Sequence, residues 1–303
     1  MILRAGQRRL ELGPAHPPLL MGILNATPDS FSDGRGEEPV AVRLARGRAL
    51  VAAGADIVDI GGESARGDRP AVPAAEEIAR VEELVVALSR DGALVSVDTY
   101  KVEVAEAAVA AGAAIVNDVS GLRDPGLASL CVRTGAALVL MHTAVEPKGT
   151  LLDPGTYEDV VVDVVEFLRT QIAVAIALGI HEEQLILDPG PDFAKTPAQT
   201  VAVLRRFDTL RQFGRPILLA ASRKDFVGAI TGRAPADRDP GTLAALGFGA
   251  DAGAAILRVH DVAGASDYLA VRAVLRGDRE LAPLEGLTPE RYPDGVPPHL
   301  ALG

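Results

Sequence analysis

Residues 54–59, Gly-Ala-Asp-Ile-Val-Asp, return in outline at 112–117 as Gly-Ala-Ala-Ile-Val-Asn and at 253–258 as Gly-Ala-Ala-Ile-Leu-Arg. A looser copy runs from Gly135 to His142. Each follows an Ala-rich run with helical spacing. Glycine directly behind a helix is the residue that accepts the left-handed cap. The apolar run after it is short and does not alternate, as in a strand buried on both faces of a parallel sheet. The repeating unit is helix, tight turn, buried strand.

Eight such strands are expected, at 19–25, 57–62, 94–98, 114–118, 137–142, 185–189, 216–221 and 255–260. Helical patterns fill the intervals, clearest at 39–53, 74–89, 101–111, 158–178, 197–213, 241–252 and 261–275. Within 74–89, Ile78, Val81, Leu84, Val85 and Leu88 share one face, with Glu76, Glu77, Arg80 and Glu83 opposite. The alternation points to the α/β class, as a single-domain (β/α)8 TIM barrel over 19–275. Residues 1–18 read as an N-terminal segment and 276–303 as a Pro-rich C-terminal tail. A Rossmann pair is the competing architecture. Against it, no G-x-G-x-x-G follows the first strand, and there is no P-loop.

The 303 residues carry 30 Lys+Arg against 41 Asp+Glu, a net charge of -11. That sign repels phosphate backbones and anionic lipid, so neither nucleic acid nor a membrane is an expected partner. Cys131, the single cysteine, offers no disulfide and no thiolate metal framework. The scattered His16, His181 and His299 give no zinc site. Neither a signal-peptide core nor a membrane-length apolar run is found, so a cytoplasmic location is expected.

In a barrel the chemistry lies where the strands run out at their C-terminal face. The residues there are Asn25, Asp59, Asp98, Asn117, Asp118, His142, Asp188, Ser222, Arg223, Lys224, Arg258 and His260. A helix cap or turn accounts for Asp118 and competes evenly for Asp59. Caps do not account for Arg258, His260 and Lys224 together. A ring holding carboxylates and cations suits a ligand with a neutral hydrogen-bonding head and an anionic tail. Asp98, Asn117 and Asp188 can read a flat, nitrogen-rich heterocycle. Asn25, Arg66, Arg258 and His260 suit phosphate oxygens, with Asn25 able to give a carbonyl ligand to Mg²⁺. Lys224 could serve either half. Loops 26–38 and 61–72 are long enough to act as lids. Ser222 lacks a G-x-S-x-G context, which argues against a hydrolase nucleophile.

These residues sit in strings that resemble the dihydropteroate synthase family. Met21-Gly22-Ile23-Leu24-Asn25-Ala26-Thr27-Pro28-Asp29-Ser30-Phe31-Ser32-Asp33-Gly34 is close to its first signature, and Val58-Asp59-Ile60-Gly61-Gly62-Glu63-Ser64 to its second. Ser96-Val97-Asp98-Thr99, Val116-Asn117-Asp118-Val119, Leu140-Met141-His142 and Leu187-Asp188-Pro189-Gly190 follow, the last with Phe193 and Lys195. Ser222-Arg223-Lys224 and Arg258-Val259-His260-Asp261 complete the order across 21–262. The resemblance implies a homodimeric (β/α)8 barrel, pairing through its last three helices. Its reaction would join 6-hydroxymethyl-7,8-dihydropterin pyrophosphate to p-aminobenzoate, with Mg²⁺, giving dihydropteroate and pyrophosphate. It implies pterin contacts from Asp98, Asn117, Asp188, Lys224, Phe193 and Met141. It puts Asn25 on Mg²⁺, Arg66, Arg258 and His260 on the diphosphate, and Pro28, Phe31 and Ser222 beside p-aminobenzoate. Asp98, Lys224, Arg258 and His260 would carry catalysis. The expected order is S_N1-like, and Asp98→Ala and Arg258→Ala are each expected to lose most activity while folding normally.

The chain departs from the family at several positions. Ala65 replaces a threonine and Gly67 a proline in the second loop, and Thr143-Ala144-Val145 stand where Met-Gln-Gly is usual. Pro191-Asp192 stand where Phe-Gly is usual, and Ala220 where glycine is common. An active synthase, a catalytically weak pterin-binding paralogue and a methyltetrahydrofolate-type methyltransferase therefore remain as readings. The methyltransferase would have no use for a diphosphate site.

Overall fold

The computed structural model describes residues 1–13, 16–27, 38–64 and 69–282. Two antiparallel strands, β1 (Ile2–Ala5) and β2 (Arg8–Glu11), come first. Eight parallel strands follow: β3 (Leu19–Asn25), β4 (Ile57–Gly61), β5 (Leu94–Asp98), β6 (Ile115–Asp118), β7 (Ala137–Met141), β8 (Leu185–Asp188), β9 (Leu218–Leu219) and β10 (Ile256–Val259). Between and after them lie α1 (Val40–Ala52), α2 (Ala74–Arg90), α3 (Val102–Ala111), α4 (Pro125–Thr134), α5 (Val160–Ala177), α6 (Pro197–Arg205), α7 (Asp225–Thr231), α8 (Asp239–Ala252) and α9 (Val262–Arg276).

The parallel strands run in the order β8-β7-β6-β5-β4-β3-β10-β9. A bridge between Leu187 and Ile217, with the Leu187 amide donating to the Pro216 carbonyl at 2.9 Å, joins the two ends. The sheet is thus a barrel, as the helix–turn–strand repeat requires. Gly112, Gly135 and Gly253 end α3, α4 and α8 in the left-handed conformation. Asp159 caps α5, and Thr196 with Gln199 forms a capping box on α6.

Four features differ from expectation. β9 has two residues rather than six: Pro216 has no amide to donate, and beyond Ala221 the chain turns, with Arg223 at φ 57. The segment 197–213 breaks after Arg205 and continues as a 3₁₀ turn that buries Phe207 and Leu210. Glu77 lies on the buried side of α2, because Lys101 of the β5–α3 turn reaches it at 2.6 Å. Finally, residues 2–11 form a hairpin whose loop, Gly6-Gln7, places Gly6 at φ 59, where a two-residue turn favours glycine.

The hairpin closes the floor of the barrel. Leu3, Ala5 and Leu12 are buried in one cluster with Met21, Ile57, Ile115, Ala137, Ile186, Leu218 and Ile256, the early residues of the strands. Two compact units make up the chain, Met1–Ser266 and Asp267–Gly303. The described part of the second carries the later turns of α9, which close with the Gly277 amide on the Val274 carbonyl. Among the described residues no helix is long and apolar enough to cross a membrane.

Candidate active site

Parallel register brings the polar residues to one rim. Gly61 pairs with Asp98, Asp98 with Asn117, and Met141 with Asp188, so β4 to β8 end almost level. At the other side of the rim Arg258 of β10 lies beside Met21 of β3. Arg258 does not point to the outer edge. Its guanidinium spans two carboxylates, Nε donating to Asp59 Oδ2 at 2.7 Å and Nη2 to Asp98 Oδ2 at 2.6 Å. Asp59 is fully buried, and the same Oδ2 accepts from Asn117 Nδ2 at 3.0 Å. The cap reading of Asp59 is therefore wrong. Asp118 does act as a turn former, accepting from the amides of Ser120 and Leu122.

This cluster sets unusual proton affinities. Burial raises Asp98 to about 7, with Arg258 opposing and Asp59 adding to the rise. Burial also raises Asp188, whose Oδ1 accepts the Gly190 amide at 2.7 Å. For Arg258 burial works against the charge, but Asp59 and Asp98 more than offset it and the guanidinium holds its proton more tightly. Lys224 is lowered, first by burial. Its ammonium lies 4.3 Å from the centroid of the Phe193 ring, a cation–π contact. Met141 is buried at the end of β7.

Toward the outer rim, Ser222 Oγ and His260 Nδ1 are 2.9 Å apart, and the His260 amide donates to the same oxygen. Burial, with Arg258 second, lowers His260 to about 4. It is neutral in the free site, a hydrogen-bonding imidazole rather than a fixed cation. Arg223 is held bidentately by Asp239 at 2.7 Å. A cavity of about 350 Å³ opens beside Asn25, Arg46, Arg223 and His260. A larger one, about 720 Å³, lies under the floor near Arg8, Glu106 and Arg133. There Arg133 and Glu106 satisfy each other, and the titrating groups of the rim are absent from its lining.

The described ends of loops 26–38 and 61–72 are held by hydrogen bonds. Arg46 donates to the Asn25 carbonyl at 3.1 Å, and Arg80 to the Gly62 carbonyl at 2.8 Å. Lys101 bridges Glu63 and Glu77, while Lys148 donates to the Ser64 carbonyl at 2.6 Å. Arg66, Pro28 and Phe31, together with Ala65 and Gly67, lie outside the described residues.

A network that sequence reasoning did not single out lies beneath Phe193. Lys195, 1% exposed, donates to the carbonyls of Gly190 and Phe193 at 2.9 and 3.1 Å, and its ammonium lies 2.7 Å from His142 Nδ1. His142 Nε2 is 2.8 Å from Asp163 Oδ1. Burial, opposed by that carboxylate, lowers His142 to about 4.

The model of the pterin-binding enzyme family matches residues 21–260. The chain belongs to the dihydropteroate synthase family. The Bacillus subtilis dihydropteroate synthase is 40% identical over 246 residues, 80% of this chain and 84% of that one. The Xanthomonas albilineans dihydropteroate synthase solved with 4-aminobenzoic acid superposes with a TM-score of 0.83 at 40% identity, covering 91% of this chain and 99% of that one. The same enzyme solved with 7,8-dihydropteroate gives 0.80 at 40% identity, covering 90% and 98%. Dihydropteroate synthase architecture thus frames the rim as described.

The magnesium ion that the sequence resemblance implies would find few protein donors here. Among the described residues no group of three or more His, Cys, Asp or Glu side chains could hold a metal. Asn25 at the end of β3 is a single hard oxygen donor. That set fits a cation arriving with a diphosphate, since Mg²⁺ keeps waters and takes few protein ligands.

Proposed function

We propose that this chain is a transferase of folate biosynthesis, joining 6-hydroxymethyl-7,8-dihydropterin pyrophosphate to p-aminobenzoate to release dihydropteroate and pyrophosphate. The observation that carries the reading is the convergence of Asp59, Asp98, Asn117, Asp188, Lys224 and Arg258 from six segments at the strand ends. Paired carboxylates and an amide match the donor edge of a pterin. Phe193 and Met141 offer apolar faces for its ring.

The bond between the pterin methylene and the diphosphate oxygen breaks with its electron pair leaving on oxygen. The pterin then carries positive charge, which ionised Asp98 and Asp188 stabilise. Arg258 turns from Asp98 toward the departing diphosphate, assisted by His260, and the resemblance assigns Arg66 the same role. Magnesium held by Asn25 would add positive charge beside the leaving oxygens. The amine nitrogen of p-aminobenzoate, beside Ser222 and the Pro28 and Phe31 that the resemblance adds to that subsite, donates its pair to the methylene carbon and loses one proton to the released pyrophosphate. No covalent enzyme intermediate is required.

Incubating the protein with both substrates and Mg²⁺ is expected to give dihydropteroate and pyrophosphate in equal amounts. Absence of product would reject the reading in favour of a catalytically weak paralogue. We read the chain further as a cytoplasmic homodimer. Phe248 on α8 is 53% exposed, an apolar side chain suited to a partner helix. Sedimentation of the wild type against Phe248→Glu tests this, and a monomer in both would reject it.

A further inference from the structure

Asp59 stands mid-strand in β4, fully buried, and touches two of the groups assigned above to the pterin and the diphosphate. One of its oxygens, Oδ2, accepts both Asn117 Nδ2 and Arg258 Nε. The other, Oδ1, is buried with no partner among the described residues. A carboxylate only accepts, so the Asn117 amide must turn its NH₂ toward Asp59 and its oxygen away. Asn117 is itself 3% exposed, so few alternative rotamers are open to it. Arg258 is held at Nε by Asp59 and only through Nη2 by Asp98. The guanidinium therefore has one deep anchor and one outer contact that a ligand can replace.

We infer that Asp59 is a positioning residue of this site: it fixes the Asn117 amide for pterin recognition and anchors Arg258 by Nε, so that the Nη end can pass from Asp98 to the diphosphate. This rests on the proposed function. Asp59 itself touches neither substrate; its effect passes through Asn117 and Arg258. A buried carboxylate with an unpartnered oxygen is costly to keep. What a carboxylate adds here is the charge it presents to Arg258, since an amide could serve Asn117 equally well.

The test compares Asp59→Ala and Asp59→Asn with wild type in steady-state synthesis. Asn preserves shape and an accepting oxygen but not the charge. The KM for the pterin substrate is expected to rise about tenfold or more in Asp59→Ala, as for loss of one charged hydrogen bond, and by an intermediate factor in Asp59→Asn. The KM for p-aminobenzoate should stay within about twofold in both, because an effect through Asn117 and Arg258 leaves that subsite alone. A fall in kcat alone, with both KM values unchanged and Asn fully restoring activity, would mean a purely structural role and overturn the inference. If the variants do not fold, the wild type decides. Its Arg258 Nε–H resonance, identified by its loss in Arg258→Lys, should remain protected from solvent exchange when inorganic pyrophosphate and Mg²⁺ are added. Loss of that protection would overturn the inference. Wild-type turnover in the same assay separates the two levels: an inactive wild type sinks the proposed function, whereas an active one without the KM split sinks only the role of Asp59.

Discussion

Arg258 meets Asp59 and Asp98 across 199 and 160 residues of sequence, and those two contacts organise the site's charge. Asp98→Asn keeps the shape of the side chain and removes its charge, so it is expected to fold normally and lose about two orders of magnitude or more in kcat/KM. Arg258→Ala is different from the sequence-level expectation of normal folding. It strands Asp59 as an uncompensated buried carboxylate, with an expected loss of about 3–5 kcal/mol in urea unfolding alongside the loss of activity. The pH profile follows from Asp98. With its carboxyl raised to about 7, the free site is mostly protonated on the acid side and accepts the pterin's N–H groups poorly there. The kcat/KM for the pterin substrate should therefore rise with pH through neutrality, and a flat profile from about pH 5 to 8 would contradict the assignment. The rim residues themselves were legible, because a barrel turns every strand end toward one face. Asp59 was ambiguous for a physical reason. Whether a mid-strand carboxylate is a cap or an anchor depends on what β10 delivers opposite it, and local sequence carries no trace of that.

Among the described elements, the loop from Gly190 to Lys195 is held in an unusual backbone conformation. Asp192 and Ala194 adopt φ of 61 and 50, conformations that side chains other than glycine resist. Two devices hold them there. Asp192 accepts the Asp225 amide at 2.5 Å at the start of α7, and Lys195 grips the loop carbonyls from below. Lys195→Met removes three hydrogen bonds from a closed pocket, with an expected cost of about 2–4 kcal/mol by urea unfolding and a weaker pterin site, since Phe193 rides on that loop. Gly190→Ala should be worse still: a Cβ there would lie 2.1 Å from the His142 carbonyl oxygen, at φ 63. Failure to accumulate folded protein is the expected outcome, read by near-UV circular dichroism. Helices and strands emerged from periodicity and glycine caps, yet Glu77 was assigned to the wrong face. A 3.6-residue period sorts apolar from polar positions but cannot register a buried ion pair whose other half, Lys101, belongs to a different element. Lys195 was visible only as one letter of a motif, for the same reason.

At the scale of the whole molecule, packing and chemistry occupy opposite ends of the barrel. The hairpin of residues 2–11 was not expected, because four-residue strands reading Ile-Leu-Arg-Ala and Arg-Arg-Leu-Glu show too little periodicity to be recognised. Its value is in what it covers. Leu3→Ala, removing a fully buried side chain from the floor, is expected to cost about 2–5 kcal/mol while leaving both KM values unchanged. Unfolding curves and steady-state kinetics on the same variant check the two halves of that statement. Because the plug and the reacting rim share no side chain, the mouth can be retuned by substitution without drawing on the cohesion of the base. Selection at one end, such as pressure from a molecule competing for the mouth, is thereby insulated from selection for a folded chain at the other.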